Sequence, residues 1–161
     1  MPDKVEQYSY LTKDLVAIFE GERDFIANMA NCAALLFQTL PDLNWAGFYR
    51  TIGSDLVLGP FQGRPACVRI GSGRGVCGAT ALRMETVVVP DVHQFPGHIA
   101  CDVASQSEIV VPLIVDGQVI GVLDLDSPVR NRFDAADAAG LESLVAILLR
   151  ASDVPGEGVI R

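Results

Sequence analysis

Positive charge is scarce in this sequence. Lysine and arginine together number 12, against 20 aspartates and glutamates, which gives the 161-residue chain a formal net charge of −8. A surface with such an excess of negative charge repels a phosphate backbone and an anionic membrane surface alike. We therefore expect neither a nucleic acid nor a membrane as a partner.

Long apolar runs are also missing. The run IVVPLIV at 109–115 is typical of those present, and it is far shorter than the ~20 residues that cross a bilayer. The first residues, MPDKVEQYSYLTKD, contain no apolar segment of the kind found in export signals. These features predict a cytoplasmic protein. In a reducing compartment its four cysteines are expected to be catalytic or metal-binding before they are structural.

The length and the 50% apolar composition suit one domain with one core. We place this domain at residues 1–150 and a flexible tail at 151–161. Residues 3–40 are predicted to form two helices, broken near Gly21. The second helix has an apolar stripe at Phe25, Met29, Cys32 and Leu36, so Cys32 is interpreted as a small buried side chain.

Short strands dominate the middle of the chain. They are predicted at 43–50, 55–62, 66–70 and 86–91, with a brief helix at 76–83. Residues 108–126 form a predicted β-hairpin, in which Asp116-Gly117 suits a type I′ turn. Asp134 is the predicted N-cap of a last helix, whose buried stripe is Leu141, Leu144, Val145 and Leu148. The order predicts an α+β domain with the helices on one face of a sheet.

Two segments interrupt the regular pattern. GRGVCG at 73–78 matches G-x-G-x-x-G, but the following helix is short and no second βαβ unit has room to form. We interpret these glycines as a tight turn rather than a dinucleotide site. The second segment is the loop at 92–105, VHQFPGHIACDVAS, whose length is typical of functional loops.

The cysteines allow two kinds of chemistry. Cys67, Cys77, His93, His98 and Cys101 offer enough donor atoms for a zinc ion. Nine residues separate Cys67 from Cys77, however, whereas structural zinc sites use closer pairs. We therefore predict no metal site. Thiol redox chemistry remains, and it requires that an attacking thiolate and a second thiol come close enough to form a disulfide.

Three acids accompany the cysteine loops. Asp124 and Asp126 are two residues apart on a predicted strand and so share a face, and Glu108 begins the neighbouring strand. Acids on a strand are more often solvated than functional. Three acids near a cysteine-bearing loop nevertheless suggest a site.

The stretches GPFQGRPACVRI, GVCGAT, VVVPDVHQFPGHIACDVASQSEIVVPL and GVLDLDSP, with NWAGFY before them, resemble the free methionine-(R)-sulfoxide reductases, which are stand-alone GAF domains. The resemblance runs from about 42 to 128, and the cysteine spacing is part of it. It implies a GAF-like α+β fold with a six-stranded antiparallel sheet flanked by helices. It also implies a closed pocket, no cofactor, and reduction of free methionine-(R)-sulfoxide with thioredoxin as reductant; it allows a homodimer.

The resemblance also implies roles for individual residues. Cys101 resembles the nucleophile and Cys67 the resolving thiol, while Cys77 could be resolving or attacking. The acids Glu108, Asp124 and Asp126 resemble those that hold the substrate ammonium and protonate the sulfoxide oxygen. The aromatic residues Trp45 and Tyr49 resemble the wall around the S-methyl group. The alternative is a GAF-type sensing module that binds a small ligand and performs no chemistry.

Overall fold

The structure, a computed structural model, describes residues 2–99 and 102–155. Its elements follow the predicted order of two helices, a run of strands and a closing helix. The helices are α1 Lys4–Phe19, α2 Phe25–Thr39, α3 Gly75–Arg83 and α4 Ala135–Ala151, with a 3-10 turn at Val92–Gln94. The strands are β1 Trp45–Ile52, β2 Asp55–Gly63, β3 Arg69–Ile70, β4 Val87–Val89, β5 Ser107–Val115 and β6 Gln118–Ser127.

The strands form one six-stranded sheet in the order β3-β2-β1-β6-β5-β4. Every pair of neighbours is antiparallel, as predicted. Asp116 and Gly117 connect β5 to β6 with φ angles of 51° and 75°, and both values lie in the left-handed region that a type I′ turn requires. This hairpin puts the acids of β6 beside those of β5.

The helices α1, α2 and α4 lie on one face of the sheet and enclose the larger core. Each begins at an aspartate N-cap. The predicted N-cap Asp134 of α4 is confirmed, and it forms a capping box with Asp137. The predicted stripe of α2 is buried, and Cys32 is 1% exposed within it. From the sheet, this core takes the side chains that point toward these helices, among them Ala46, Phe48, Ile109, Val111, Leu123 and Leu125.

The remaining helix, α3, lies on the opposite face of the sheet. This placement corrects the prediction that all helices share one face. Val76 and Cys77 of α3 pack there with Trp45, Tyr49 and Val122. The prediction was wrong because α3 is too short to show a periodic stripe that would reveal its partner surface. Two opposed faces result, one filled by aliphatic packing and one that holds the candidate site.

Several predicted boundaries shift by a few residues. β3 contains only Arg69 and Ile70 of the predicted 66–70 segment, although Leu58 N still donates to Val68 O at 2.9 Å. At the other end of the chain, residues that were assigned to the tail are held in place. Asp153 N donates to Arg23 O at 2.7 Å, and the Arg23 guanidinium contacts the Asp153 carboxylate. Residues 156–161 of the predicted tail lie outside the described residues.

Within the described ranges, none of the helices combines the length and the apolar character that a bilayer span requires.

Candidate active site

The strand register brings the three acids together on the face that carries α3. Asp126 of β6 lies opposite Trp45 of β1 on one side and Glu108 of β5 on the other. Asp124 occupies the next row, opposite Gly47 and Val110. Because alternate strand residues share a face, the carboxyls of Glu108, Asp124 and Asp126 all line one pocket. The prediction that Asp124 and Asp126 share a face is therefore confirmed, and the strand register places Glu108 beside them.

Aromatic rings form the adjoining wall of this pocket. Trp45 stacks with Tyr49, at a centroid distance of 6.0 Å, and with Phe61, at 5.3 Å. The indole N–H donates to Arg64 O at 3.1 Å, so its only polar atom is satisfied. Gly47 permits this arrangement, because a Cβ at that position would lie 2.8 Å from the indole edge and closer still to Phe61. The result is a flat apolar surface next to the acids.

The glycine-rich turn at 73–78 places Cys77 in the same pocket. Gly73 and Gly75 have φ angles of 73° and 61°, and a Cβ on Gly78 would lie 2.6 Å from the backbone of Gly73. These requirements confirm the interpretation of the G-x-G-x-x-G match as a tight turn. The turn starts α3 close to the sheet, where Cys77 Sγ donates to Asp124 Oδ2 at 3.4 Å.

Described residues of the loop at 92–105 border the site. The base of this loop is closed because Val92 N donates to Gln106 O at 2.9 Å. Its C-terminal part is held by Asn44, whose side-chain amide donates to Asp102 Oδ2 and to Ser105 Oγ, each at 3.0 Å. His98, Ile99, Asp102 and Ser105 of this loop line the pocket.

The predicted nucleophile, Cys101, lies outside the described residues. The nearest described residues on either side of it in the chain, Ile99 and Asp102, both line the pocket. Cys67 is a half-buried residue whose sulfur is disulfide-bonded. Its carbonyl accepts a hydrogen bond from the Tyr49 hydroxyl at 2.9 Å, which ties the Cys67 segment to the aromatic wall.

Burial dominates the electrostatics of the three acids. It raises the pKa of Glu108 well above its usual range, and the negative charges of Asp124 and Asp126 raise it further. The pKa of Asp126 is also raised well above its usual range by burial and by Asp124. Burial raises the pKa of Asp124 too, while hydrogen bonds from Glu108 and Cys77 oppose that rise. The cluster therefore retains protons that exposed acids would release.

Burial also shifts the pKa values of Cys77 and His98. Burial, and next the negative charge of Asp124, raises the pKa of the Cys77 thiol well above its usual range. The thiol is consequently protonated at neutral pH, as its hydrogen bond to Asp124 requires. Burial lowers the pKa of His98, and its Nε2 lies 3.8 Å from Glu108 Oε2.

These raised pKa values predict how stability depends on pH. Between about pH 4, where unfolded acids titrate, and the higher pKa values of the folded acids, the folded state binds more protons. Stability should therefore fall as pH rises through this interval. Glu108→Gln removes one such group, so its unfolding free energy relative to wild type should rise between pH 4 and pH 8 by at least about 1 kcal/mol.

Urea unfolding of both proteins across this pH range measures the difference. Asp14→Asn is the matched control, because Asp14 is an exposed acid on α1, away from the pocket. A difference between Glu108→Gln and wild type that stays constant over the whole range would contradict the prediction.

Sequence reasoning missed other pocket residues. Arg64 and Arg74 line the pocket together with the first turn of α3. His98, considered in the sequence only as a possible zinc donor, lines the pocket as well. Among the described residues, the donor atoms that come within metal-ligand distance belong to Cys77, Glu108 and Asp124. This set differs from the cysteines and histidines considered for zinc. No local spacing reveals it, because its members lie on three separate elements.

Comparisons with known proteins agree with this architecture. The family model for the GAF domain matches residues 14–151. Free methionine-R-sulfoxide reductase of Escherichia coli is 55% identical over 146 residues, which cover 91% of this chain and 88% of that protein. A protein from Burkholderia vietnamiensis named as a GAF sensor superposes with a TM-score of 0.90 at 54% identity, covering 94% of this chain and 96% of that one.

A third relative has been solved with its substrate. The structure of free methionine-R-sulfoxide reductase from Neisseria meningitidis in complex with its substrate superposes with a TM-score of 0.90. The two chains are 45% identical, and the match covers 94% of this chain and 91% of the other. With most of both chains matched and the pocket in place, this protein belongs to the free methionine-R-sulfoxide reductases of the GAF-domain family.

Proposed function

We propose that this protein reduces free methionine-R-sulfoxide to methionine, using Cys101 as nucleophile and Cys67 as resolving thiol. One observation carries the proposal: the acids Glu108, Asp124 and Asp126 share a pocket with the stacked Trp45, and Ile99 and Asp102, which flank the Cys101 position in the chain, line the same pocket. An acidic group for the ammonium and for proton donation, beside an apolar wall for the S-methyl group, suits this substrate. The activity of the Escherichia coli relative supports the same assignment.

The chemistry starts with attack of the Cys101 thiolate on the sulfoxide sulfur. A protonated carboxyl of the cluster donates its proton to the sulfoxide oxygen, methionine leaves, and Cys101 is left as a sulfenic acid. The Cys67 thiol then attacks that sulfur, and water leaves as the disulfide forms. Thioredoxin, as the proposed dithiol reductant, takes up the disulfide by exchange and restores both thiols.

Cys77 suits a different role from the other two cysteines. Its thiol is buried, donates to Asp124, and has a raised pKa, whereas an attacking cysteine needs its thiolate. We assign Cys77 to the catalytic pocket as a hydrogen-bond donor that fixes the Asp124 carboxyl. A resolving function for Cys77 is the alternative, and the cysteine variants discussed below distinguish the two.

The substrate is a zwitterion, and the pocket carries charges of both signs. The acids face the ammonium, and Arg64 and Arg74 line the same pocket beside the first turn of α3. The free backbone N–H groups of a helix N-terminus add to the attraction for a carboxylate. A methionine sulfoxide inside a polypeptide has neither charge, so the pocket is expected to select the free amino acid.

Turnover on blocked substrates tests this selection. N-acetylation removes the ammonium and leaves a buried charge in the pocket without its partner. Such a loss typically costs about 3 to 5 kcal/mol, which corresponds to a decrease in kcat/KM of several hundred-fold or more. The C-amidated compound keeps the ammonium and should lose less, since the arginines are exposed to solvent. The measurement compares both compounds with free methionine-R-sulfoxide and its S epimer, with thioredoxin recycling.

Comparable kcat/KM for the N-acetylated and free R compounds would contradict recognition of the ammonium. Binding of the free compound without production of methionine would instead favour the sensing module, the alternative suggested by the Burkholderia vietnamiensis relative's name. Formation of a disulfide only after sulfoxide is added separates these two outcomes directly.

A further inference from the structure

The Cys77 thiol meets two carboxyls at the buried side of the pocket. Donor atoms of Cys77, Glu108 and Asp124 all lie within 4.8 Å of one another, and the Cys77 Sγ–Asp124 Oδ2 distance is 3.4 Å. A tetrahedral zinc ion with ordinary bond lengths holds its sulfur and oxygen ligands about 3.5 Å apart. The spacing of this pair therefore suits a metal ion as well as a hydrogen bond.

Asp124 supplies an independent sign of a missing ligand. The residue is 6% exposed, and among the described residues no N–H or alcohol donor reaches its buried Oδ1 atom. Besides Cys77, the group that hydrogen-bonds to Asp124 is the carboxyl of Glu108, which is itself a member of the cluster. A buried carboxylate that depends on a second acid for its partner is unfavourable once that acid ionises. Because the Asp124 carboxyl lines the pocket, a cation bound there would supply the missing interaction.

A further donor lies at the edge of this cluster. His98 Nε2 is 3.8 Å from Glu108 Oε2, and the His98 side chain is mostly buried. An imidazole is a common fourth ligand where a thiolate and carboxylates supply the other three.

We propose that Cys77, Glu108 and Asp124 form a binding site for Zn²⁺ or a similar borderline-soft divalent cation, and that the bound cation excludes the substrate. A mixed thiolate and carboxylate set suits zinc better than the harder magnesium or calcium. Three protein ligands leave a fourth position for His98 or water. Binding displaces the thiol proton to solvent. The cation and the substrate ammonium need the same carboxyls, so they compete; this competition alone rests on the proposed function.

The metal site is tested by spectroscopy in a protein in which Cys67 and Cys101 are both replaced. In a Cys67→Ser/Cys101→Ser background, Cys32 and Cys77 are the remaining cysteines of the sequence. Stoichiometric Co²⁺ should then give a thiolate-to-cobalt charge-transfer band, and Zn²⁺ should displace it. Adding Cys77→Ser should abolish the band, whereas adding Cys32→Ala, the control, should retain it. Asp124→Asn should weaken Co²⁺ binding at least about tenfold, since loss of even an outer partner costs that much.

Two results would overturn the site: a band that survives Cys77→Ser, or no band in a background protein whose far-ultraviolet circular dichroism matches wild type. These results do not depend on reductase activity. The competition is measured separately on the wild-type enzyme, where Zn²⁺ should raise the apparent KM for methionine-R-sulfoxide without changing kcat, and EDTA should reverse the effect. A fall in kcat with unchanged KM would overturn exclusion of the substrate.

Discussion

Cys101→Ser is expected to produce no methionine, even when the enzyme is present in stoichiometric amounts. A serine hydroxyl is a far weaker nucleophile than a thiolate, and neither of the proposed pocket groups at Cys77 and Asp124 can replace it. Cys67→Ser should instead form methionine once and then stop. Its Cys101 retains the oxygen as a sulfenic acid, because the proposed resolving thiol is missing.

A single-turnover assay without thioredoxin measures both results. Wild type and Cys67→Ser should each yield stoichiometric methionine, and a sulfenic-acid trap should label only Cys67→Ser. Cys32→Ala is the matched control, since Cys32 lies in the aliphatic core on the other face of the sheet. Stoichiometric methionine from Cys101→Ser, together with none from Cys77→Ser, would assign the attack to Cys77.

The same single-turnover assay distinguishes the two possible roles of Cys77. As a hydrogen-bond donor to Asp124, it should be dispensable for disulfide formation, and Cys77→Ser should still form methionine once at a reduced rate. If Cys77 were the resolving thiol, Cys77→Ser would accumulate the sulfenic acid, as expected for Cys67→Ser.

Local rules recovered most elements of this fold from the sequence. The apolar stripe of α2, the Asp116-Gly117 turn and the Asp134 cap depend on residues within one or two turns of each other. The position of α3 could not be predicted in this way. Cys77 and Asp124 are 47 residues apart in the chain, and their contact depends on a glycine turn whose close packing is visible only in three dimensions.

The residues of the candidate site differ in the same way: local sequence patterns predict some of them, and contacts between distant segments place the others. The D-x-D pattern placed Asp124 and Asp126 on one face because strand periodicity is local. The resemblance to known reductases added the aromatic wall. The roles of Asn44, as an anchor for the cysteine loop, and of Arg64 and Arg74, at the pocket, follow from contacts between distant segments, and no periodicity in the sequence encodes such contacts.

The raised pKa values of Glu108 and Asp126 suit the proposed role of these acids as proton donors. An acid that is still protonated near neutral pH can donate to the sulfoxide oxygen, and burial together with mutual repulsion keeps it protonated. Glu108→Gln and Asp126→Asn remove this proton while preserving side-chain size. For the double variant we expect kcat to fall by about 10² to 10⁴, the usual contribution of a general acid.

The pH profile distinguishes loss of proton donation from loss of binding. Wild-type kcat should decline toward alkaline pH as the donor ionises, and the variant that lacks the donor should show a lower rate without that decline. Asp14→Asn again serves as the exposed-acid control and should keep the wild-type profile. A variant that loses only ammonium binding should instead raise KM and keep the alkaline limb of kcat. Glu108→Gln and Asp126→Asn, measured singly, thus assign the donor and the ammonium ligand, and wild-type turnover in the double variant would remove both carboxyls from the mechanism.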